Sequence, residues 1–196
     1  MLLHCTLYKM KKILSGLLLL CSLTTQCQLI TDSVLVEQYY RTFNYIKPAD
    51  NITGNSLMFV MHGSGGNGLG IMKQVAKLEA IAIREKLLLV YPDGYQHYWN
   101  ECRKYSTALA NKIDINEQAF FNAMIVYFTQ KYGINSSNVF AAGFSGGGHM
   151  AYKLALSMPN QIKAIAAIVA NMPDSASSDC SFAGKPKSVL IINGTM

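Results

Sequence analysis

An open, mostly parallel α/β sheet with helices on both faces is the fold this sequence predicts, on three observations. Short, continuously apolar runs of strand length alternate with longer segments of helical periodicity. Two of those runs empty into glycine-dense turns, HGSGGNG at 62–68 and GFSGGGH at 143–149. Each glycine turn then leads into a helical segment, the order that a strand–turn–helix unit requires.

The first 27 residues read as a secretory signal peptide. Lys9, Lys11 and Lys12 form a basic cluster, an apolar run covers 13–20, and small and polar residues follow. That run is too short for a membrane span. Cleavage after Cys27 is expected, with a lipid-modified Cys27 as the alternative; either way the domain is 28–196 and lies outside the cytoplasm.

From 36 to 47, VEQYYRTFNYIK alternates β-formers and stops at Pro48, which predicts one or two antiparallel edge strands. LMFVM at 57–61 has no polar alternation, as a strand buried on both faces should. A single helix is expected over 71–86, with Ile71, Val75, Leu78 and Ala82 on one stripe, and a buried strand over 87–91 ended by Pro92, Asp93 and Gly94. The irregular stretch 95–113 is long enough to expect a functional loop. Asp114 and Glu117 have capping-box spacing for a helix to Tyr132, stopped by Gly133. The strand before Ser145, its helix ending ahead of Pro159, and strands at 162–170 and 188–193 complete the alternation. No internal repeat or further domain boundary is evident.

With 51% hydrophobic and 14% charged residues, the chain of 196 residues is composed as a globular domain and not as a disordered one. The net charge of +6 does not mark a nucleic-acid partner. Three of the 17 basic residues lie in the signal, and the other 14 are scattered among 11 acidic ones without a basic run. In the mature domain the cysteines are Cys102 and Cys180. Export permits a disulfide between them, and both fall in loops expected at the carboxyl edge of the sheet; two separate thiols are the alternative.

Gly143, Phe144, Ser145, Gly146 and Gly147 spell G-x-S-x-G, the nucleophile-elbow pattern. A serine on so sharp a turn needs glycine two positions to either side, and the helix start aims backbone N–H groups at the space beside it. A phosphate loop is excluded because His149 and Met150 occupy the lysine and serine or threonine positions. Gly63, Gly65 and Gly68 also satisfy G-x-G-x-x-G, with Asp93 placed as a ribose-binding acid, so a dinucleotide-binding oxidoreductase is a remote alternative. That alternative leaves the serine motif without a role, whereas in an esterase both loops donate to one oxyanion.

Four stretches, FVMHGSGGNG, VYPDGYQHYWNEC, the run from INEQAFF to AYKLA, and VLIINGTM, resemble the α/β-hydrolase superfamily. Within it they are most similar to the exported esterases known as polyhydroxybutyrate depolymerases, feruloyl esterases or the LpqC type. They cover most of the mature chain in the family's order; the departure is Gly146, where that family usually has asparagine or alanine. The resemblance implies Ser145 as nucleophile, backbone N–H groups of Gly146 and Ser64 as oxyanion hole, and His62, Gly63, Trp99 and Asn100 at the substrate. Trp99 and Asn100 read equally well as a loop folded down on a buried tryptophan.

The resemblance further implies a catalytic acid just after a segment like 192–196, then a histidine. The chain is thus expected to be the front part of an esterase lacking the last strand or strands and helix. Asp174 is a remote acid candidate, and His62, His97 and His149 read as structural or loop histidines. No cofactor or metal is expected. The substrate would be a small-molecule, polysaccharide-linked or polyester ester of feruloyl, acetyl or polyhydroxyalkanoate type. A non-catalytic fragment or binding module of the same fold is the alternative.

Overall fold

A computed structural model describes residues 28–48, 51–181 and 185–194. The segment read as a signal peptide, with Cys27, lies outside the described residues. Seven strands form one sheet in the order β1-β2-β4-β3-β5-β6-β7. They are β1 (Leu29–Val36), β2 (Tyr39–Ile46), β3 (Ser56–Met61), β4 (Leu87–Pro92), β5 (Val139–Phe144), β6 (Ile162–Ile168) and β7 (Ser188–Ile192). β4, β3, β5, β6 and β7 run parallel to one another; β2 is antiparallel to both β1 and β4.

Side-chain alternation along β3 and β4 divides the core into two layers. Leu57, Phe59, Met61, Leu88 and Val90 face the layer built by α4 (Glu117–Tyr132) and α5 (Gly146–Ser157). Val60, Leu89 and Tyr91 face the other way, against Ile71 of α1 (Gly68–Gln74) and Ala82 of α2 (Lys77–Arg84). Both faces of the central strands are therefore covered, which is why these strands carry no polar alternation. A one-turn helix, α3 (Leu109–Lys112), interrupts the loop that the sequence left irregular.

Three expectations are corrected. The 36–47 segment is the second half of a hairpin: β1 starts at Leu29 and pairs throughout with β2 around a turn at Glu37, whose φ is 55°. β1 is mostly half-buried and carries Thr31, Asp32 and Ser33 at its centre, so its apolar signal is weak. The single helix over 71–86 is two, α1 and α2, broken at Val75 and Ala76; the apolar stripe continues across the break because Val75 and Leu78 pack on the same layer. The cap of α4 is Asn116, whose side chain accepts from the Ala119 N–H, and not the Asp114 and Glu117 box. Glu117 is buried against Arg41 at 2.9 Å. Gly133 closes α4 in the left-handed conformation, as expected.

One register and one reversal of strand order position the site. Met61 of β3 lies opposite Gly143 of β5, so the loop after β3 and the turn after β5 emerge side by side. From β3 the chain moves outward to β4 on one side and returns to β5 on the other, which makes this the switch point where open α/β sheets bind ligands.

β7 is an edge strand among the described residues, as β1 is at the other side, and all five residues of β7 are exposed. An apolar edge of this kind templates association. Residues 28–196 are expected to elute from a sizing column as concentration-dependent oligomers, and Leu190→Lys to shift them towards monomer; a monomeric wild type would contradict this.

Candidate active site

Ser145 sits between β5 and α5 with φ 52° and ψ −116°, a conformation that a non-glycine residue holds at a cost of about 1–3 kcal/mol. Its own N–H donates to Ile168 O at 2.8 Å, which ties the turn to β6. The flanking glycines are steric requirements. A Cβ on Gly143 would lie 2.1 Å from the carbonyl carbon and oxygen of Gly147, and one on Gly147 would lie 2.4 Å from Met61 O.

The 62–68 loop reaches the same place from β3. A Cβ on Gly146 would fall 2.5 Å from Ser64 Oγ and 3.0 Å from Ser64 N, so the Ser64 N–H lies beside the start of α5. Only glycine fits at 146 while Ser64 keeps this position. Gly63 also comes up to the elbow, since a Cβ on it would lie 3.5 Å from Ser145 Cβ, ordinary van der Waals contact.

This loop is braced from several directions. Gly65 N–H donates to His97 O at 2.9 Å and Gly66 N–H to Gly63 O at 3.0 Å. His62 lies buried beneath the loop, its Nε2 accepting from Gly94 N–H at 2.9 Å and its Nδ1 paired with Gly63 O at 2.7 Å. These partners assign the neutral tautomer protonated on Nδ1, and burial lowers the imidazole pKa in agreement. Trp99 Nε1 donates to His62 O at 2.9 Å. Asp93 accepts from Gly68 N–H at 2.6 Å and from Thr42 Oγ1 at 2.8 Å, so both oxygens of the acid that a dinucleotide site would need are engaged inside the fold.

A cavity of about 590 Å³ opens beside the elbow, with Ser64 and His149 on its wall together with Tyr98, Arg103, Tyr105 and Met172. Its outer loop is fixed by the Cys102–Cys180 bond, whose Cα atoms are 5.1 Å apart. His62, Trp99 and Asn100 do not line it. His62 and Trp99 are buried with their polar atoms on backbone, and Asn100 faces a second cavity, its Nδ2 donating to Asp114 Oδ1 and Ile115 O. These three support the loops where substrate contact was expected, and of that set only Gly63 approaches Ser145.

The structure brings no acid and histidine to Ser145 among the described residues. Asp174 is exposed and accepts from the Ser177 N–H at 2.8 Å, a turn closure with no histidine partner. His97 pairs with Gly66 O. His149 donates its backbone N–H to Ser145 O, while its Nδ1 is buried without a partner among the described residues. Burial, with Arg103's positive charge acting the same way, lowers the His149 pKa to about 4.

Sequence reasoning missed the wall formed by Tyr98, Arg103 and Tyr105, and Asp93 as a loop clamp. The available signal for the first was Cys102, since a disulfide there pins its neighbour Arg103.

The profile of the phospholipase/carboxylesterase family matches residues 46–195. The chain belongs to that family. Among curated proteins, this phospholipase/carboxylesterase-family chain is 29% identical over 120 residues to NocK of Nocardia uniformis subsp. tsuyamanensis, a protein named as an esterase, covering 61% of this chain and 34% of NocK. It is 28% identical over 115 residues to feruloyl esterase D of Neurospora crassa, covering 59% of this chain and 36% of that protein. The match thus spans about a third of the length of either relative. Among solved structures, a mutant feruloyl esterase module from Clostridium thermocellum complexed with sinapinate superposes with a TM-score of 0.60 at 15% identity, covering 76% of this chain and 56% of that one. The fold is that of the α/β hydrolases.

Two outcomes follow for this family member. Ser145→Gly is expected to relieve the turn and stabilise the protein by about 1 kcal/mol, the strain released less the entropy glycine loses on folding; a lower melting temperature would contradict the strain. Because His149 titrates near 4 in the folded protein, below its ordinary 6.5, the unfolded chain binds more protons between these values. Stability is expected to fall as pH drops through that window, and His149→Gln to flatten the fall. Urea midpoints at pH 7 and pH 4.5 check this, and an unchanged difference between them would contradict it.

Proposed function

We propose that the protein is an exported serine esterase in which Ser145 Oγ attacks the ester carbonyl carbon. The observation that carries this reading is the strained Ser145 turn held against the 62–68 loop, with the Gly146 and Ser64 N–H groups at its side. As the tetrahedral intermediate forms, negative charge gathers on the carbonyl oxygen, and backbone donors already in place stabilise it without reorganising. One such donor is worth roughly 10²- to 10³-fold in rate. Collapse expels the alcohol and leaves an acyl-enzyme on Ser145, which water then releases.

The Ser145 proton needs a base, and a serine without one is barely nucleophilic at neutral pH. We assign the acid and histidine to residues other than those described, in the chain order serine, acid, histidine. The family match and the named esterases support ester hydrolysis. Feruloyl, acetyl and polyhydroxyalkanoate-type esters are the proposed substrate classes. Export is supported by the signal-like first 27 residues and by the Cys102–Cys180 bond, since such bonds persist in oxidising compartments. A second reading, a binding module that keeps the pocket, is favoured by one observation: no described histidine hydrogen-bonds to Ser145 Oγ.

The test is fluorophosphonate labelling and p-nitrophenyl acetate hydrolysis by the 196-residue chain and by any longer product of the same reading frame. Labelling confined to Ser145 and lost in Ser145→Ala is expected, together with hydrolysis, in a product that supplies the histidine. Labelling that survives Ser145→Ala overturns the assignment, and a longer product without hydrolysis favours the binding module.

A further inference from the structure

Among the described residues that line the cavity beside Ser145, Arg103 is the one with a full charge. His149 across the cavity is neutral at pH 7, and Tyr98, Tyr105 and Met172 supply rings and an apolar surface.

Arg103 is held in place and does not simply project from the surface. The preceding residue is bonded to Cys180, and its own backbone bridges to Ser178. Its N–H donates to Glu101 Oε2 at 2.9 Å and its Nε to Glu101 Oε1 at 2.7 Å. The Glu101 side chain is 2% exposed, so the anchor is rigid, whereas the Arg103 side chain remains 44% exposed. A guanidinium has five donors in a planar fork, and the anchor uses one of them, the Nε–H. Among the described residues neither Nη atom has a hydrogen-bond partner, which leaves the edge formed by the two Nη groups for a ligand. A carboxylate matches that edge bidentately, with charge-assisted bonds about twice as strong as neutral ones.

We propose that Arg103 receives a carboxylate carried by the substrate, so that the site selects anionic esters, such as hemiesters of dicarboxylic acids and carboxylate-ended oligoesters, over neutral ones. This rests on the serine esterase reading for the position of the ester. The reacting ester group lies at Ser145, and the carboxylate end lies along the cavity at Arg103. Tyr98, Tyr105 and Met172 line the space available to the connecting carbons.

The experiment measures binding of 5-oxohexanoate and of 2-hexanone to the full 196-residue chain, by NMR titration at low salt. Both present a ketone in place of the ester carbonyl, and only the first carries a carboxylate. The expected result is about 10- to 100-fold tighter binding of 5-oxohexanoate, the range for a charge-assisted contact. That advantage should fall to within about twofold in Arg103→Gln and be partly kept in Arg103→Lys, and it should persist in Ser145→Ala. Equal binding of the two probes by the wild type overturns the proposal whether or not the variants fold, and so does an advantage that survives in a folded Arg103→Gln. A persistent carboxylate preference with no Ser145 labelling in a product that supplies the histidine would sink the esterase reading and leave the anion site. Ser145-dependent hydrolysis without the preference would do the reverse.

Discussion

The structure depends on a backbone-to-backbone approach at the carboxyl ends of β3 and β5. Gly147 passes so near Met61 and His62 that a single methyl group there would lie 2.4 Å from one carbonyl oxygen and 2.6 Å from the other. Close-packed interiors do not absorb overlaps of that size without moving an element. The approach is possible because the parallel pairing of β3 with β5 sets Met61 opposite Gly143. It brings the N–H groups of two loops distant in sequence to one side of Ser145.

Holding that geometry takes a layer of residues that never meets the cavity. His62, Asp93, Trp99 and the His97 carbonyl fix the loop after β3 from below and from the side. One step further out, Arg41 pairs with Glu117 at 2.9 Å, and Glu117 also accepts from the Asn100 N–H at 3.1 Å. This buried pair links β2, α4 and the loop carrying Trp99. Removing one partner of such a pair is strongly destabilising, because the other charge stays buried and uncompensated. The strain at Ser145 thus persists because neighbouring elements over-determine it.

The parts of this arrangement legible in the sequence were those with a local steric or periodic signature. Apolar runs marked β3, β4 and β6, and G-x-S-x-G between a strand and a helix marked the elbow, because only glycine tolerates the contacts made at 143 and 147. The roles of His62, Trp99 and Asn100 were not legible, since burial and partner choice are tertiary properties; an aromatic or amide in a loop reads alike whether it touches substrate or supports the chain. β1 was hidden by its polar centre, and the break at Val75 by an apolar stripe that runs unchanged across it. Arg103 gave no signal of its own because its position is set by a disulfide and by a buried glutamate two residues earlier.

The most direct test of the account is a crystal structure, after reaction with a fluorophosphonate, of the product that supplies the histidine. The expected adduct has phosphorus bonded to Ser145 Oγ and its non-bridging oxygen roughly 2.7–3.1 Å from the backbone nitrogens of both Gly146 and Ser64, the range of an oxyanion hole. A phosphonyl oxygen turned away from those two nitrogens, or an adduct on another side chain, would contradict it.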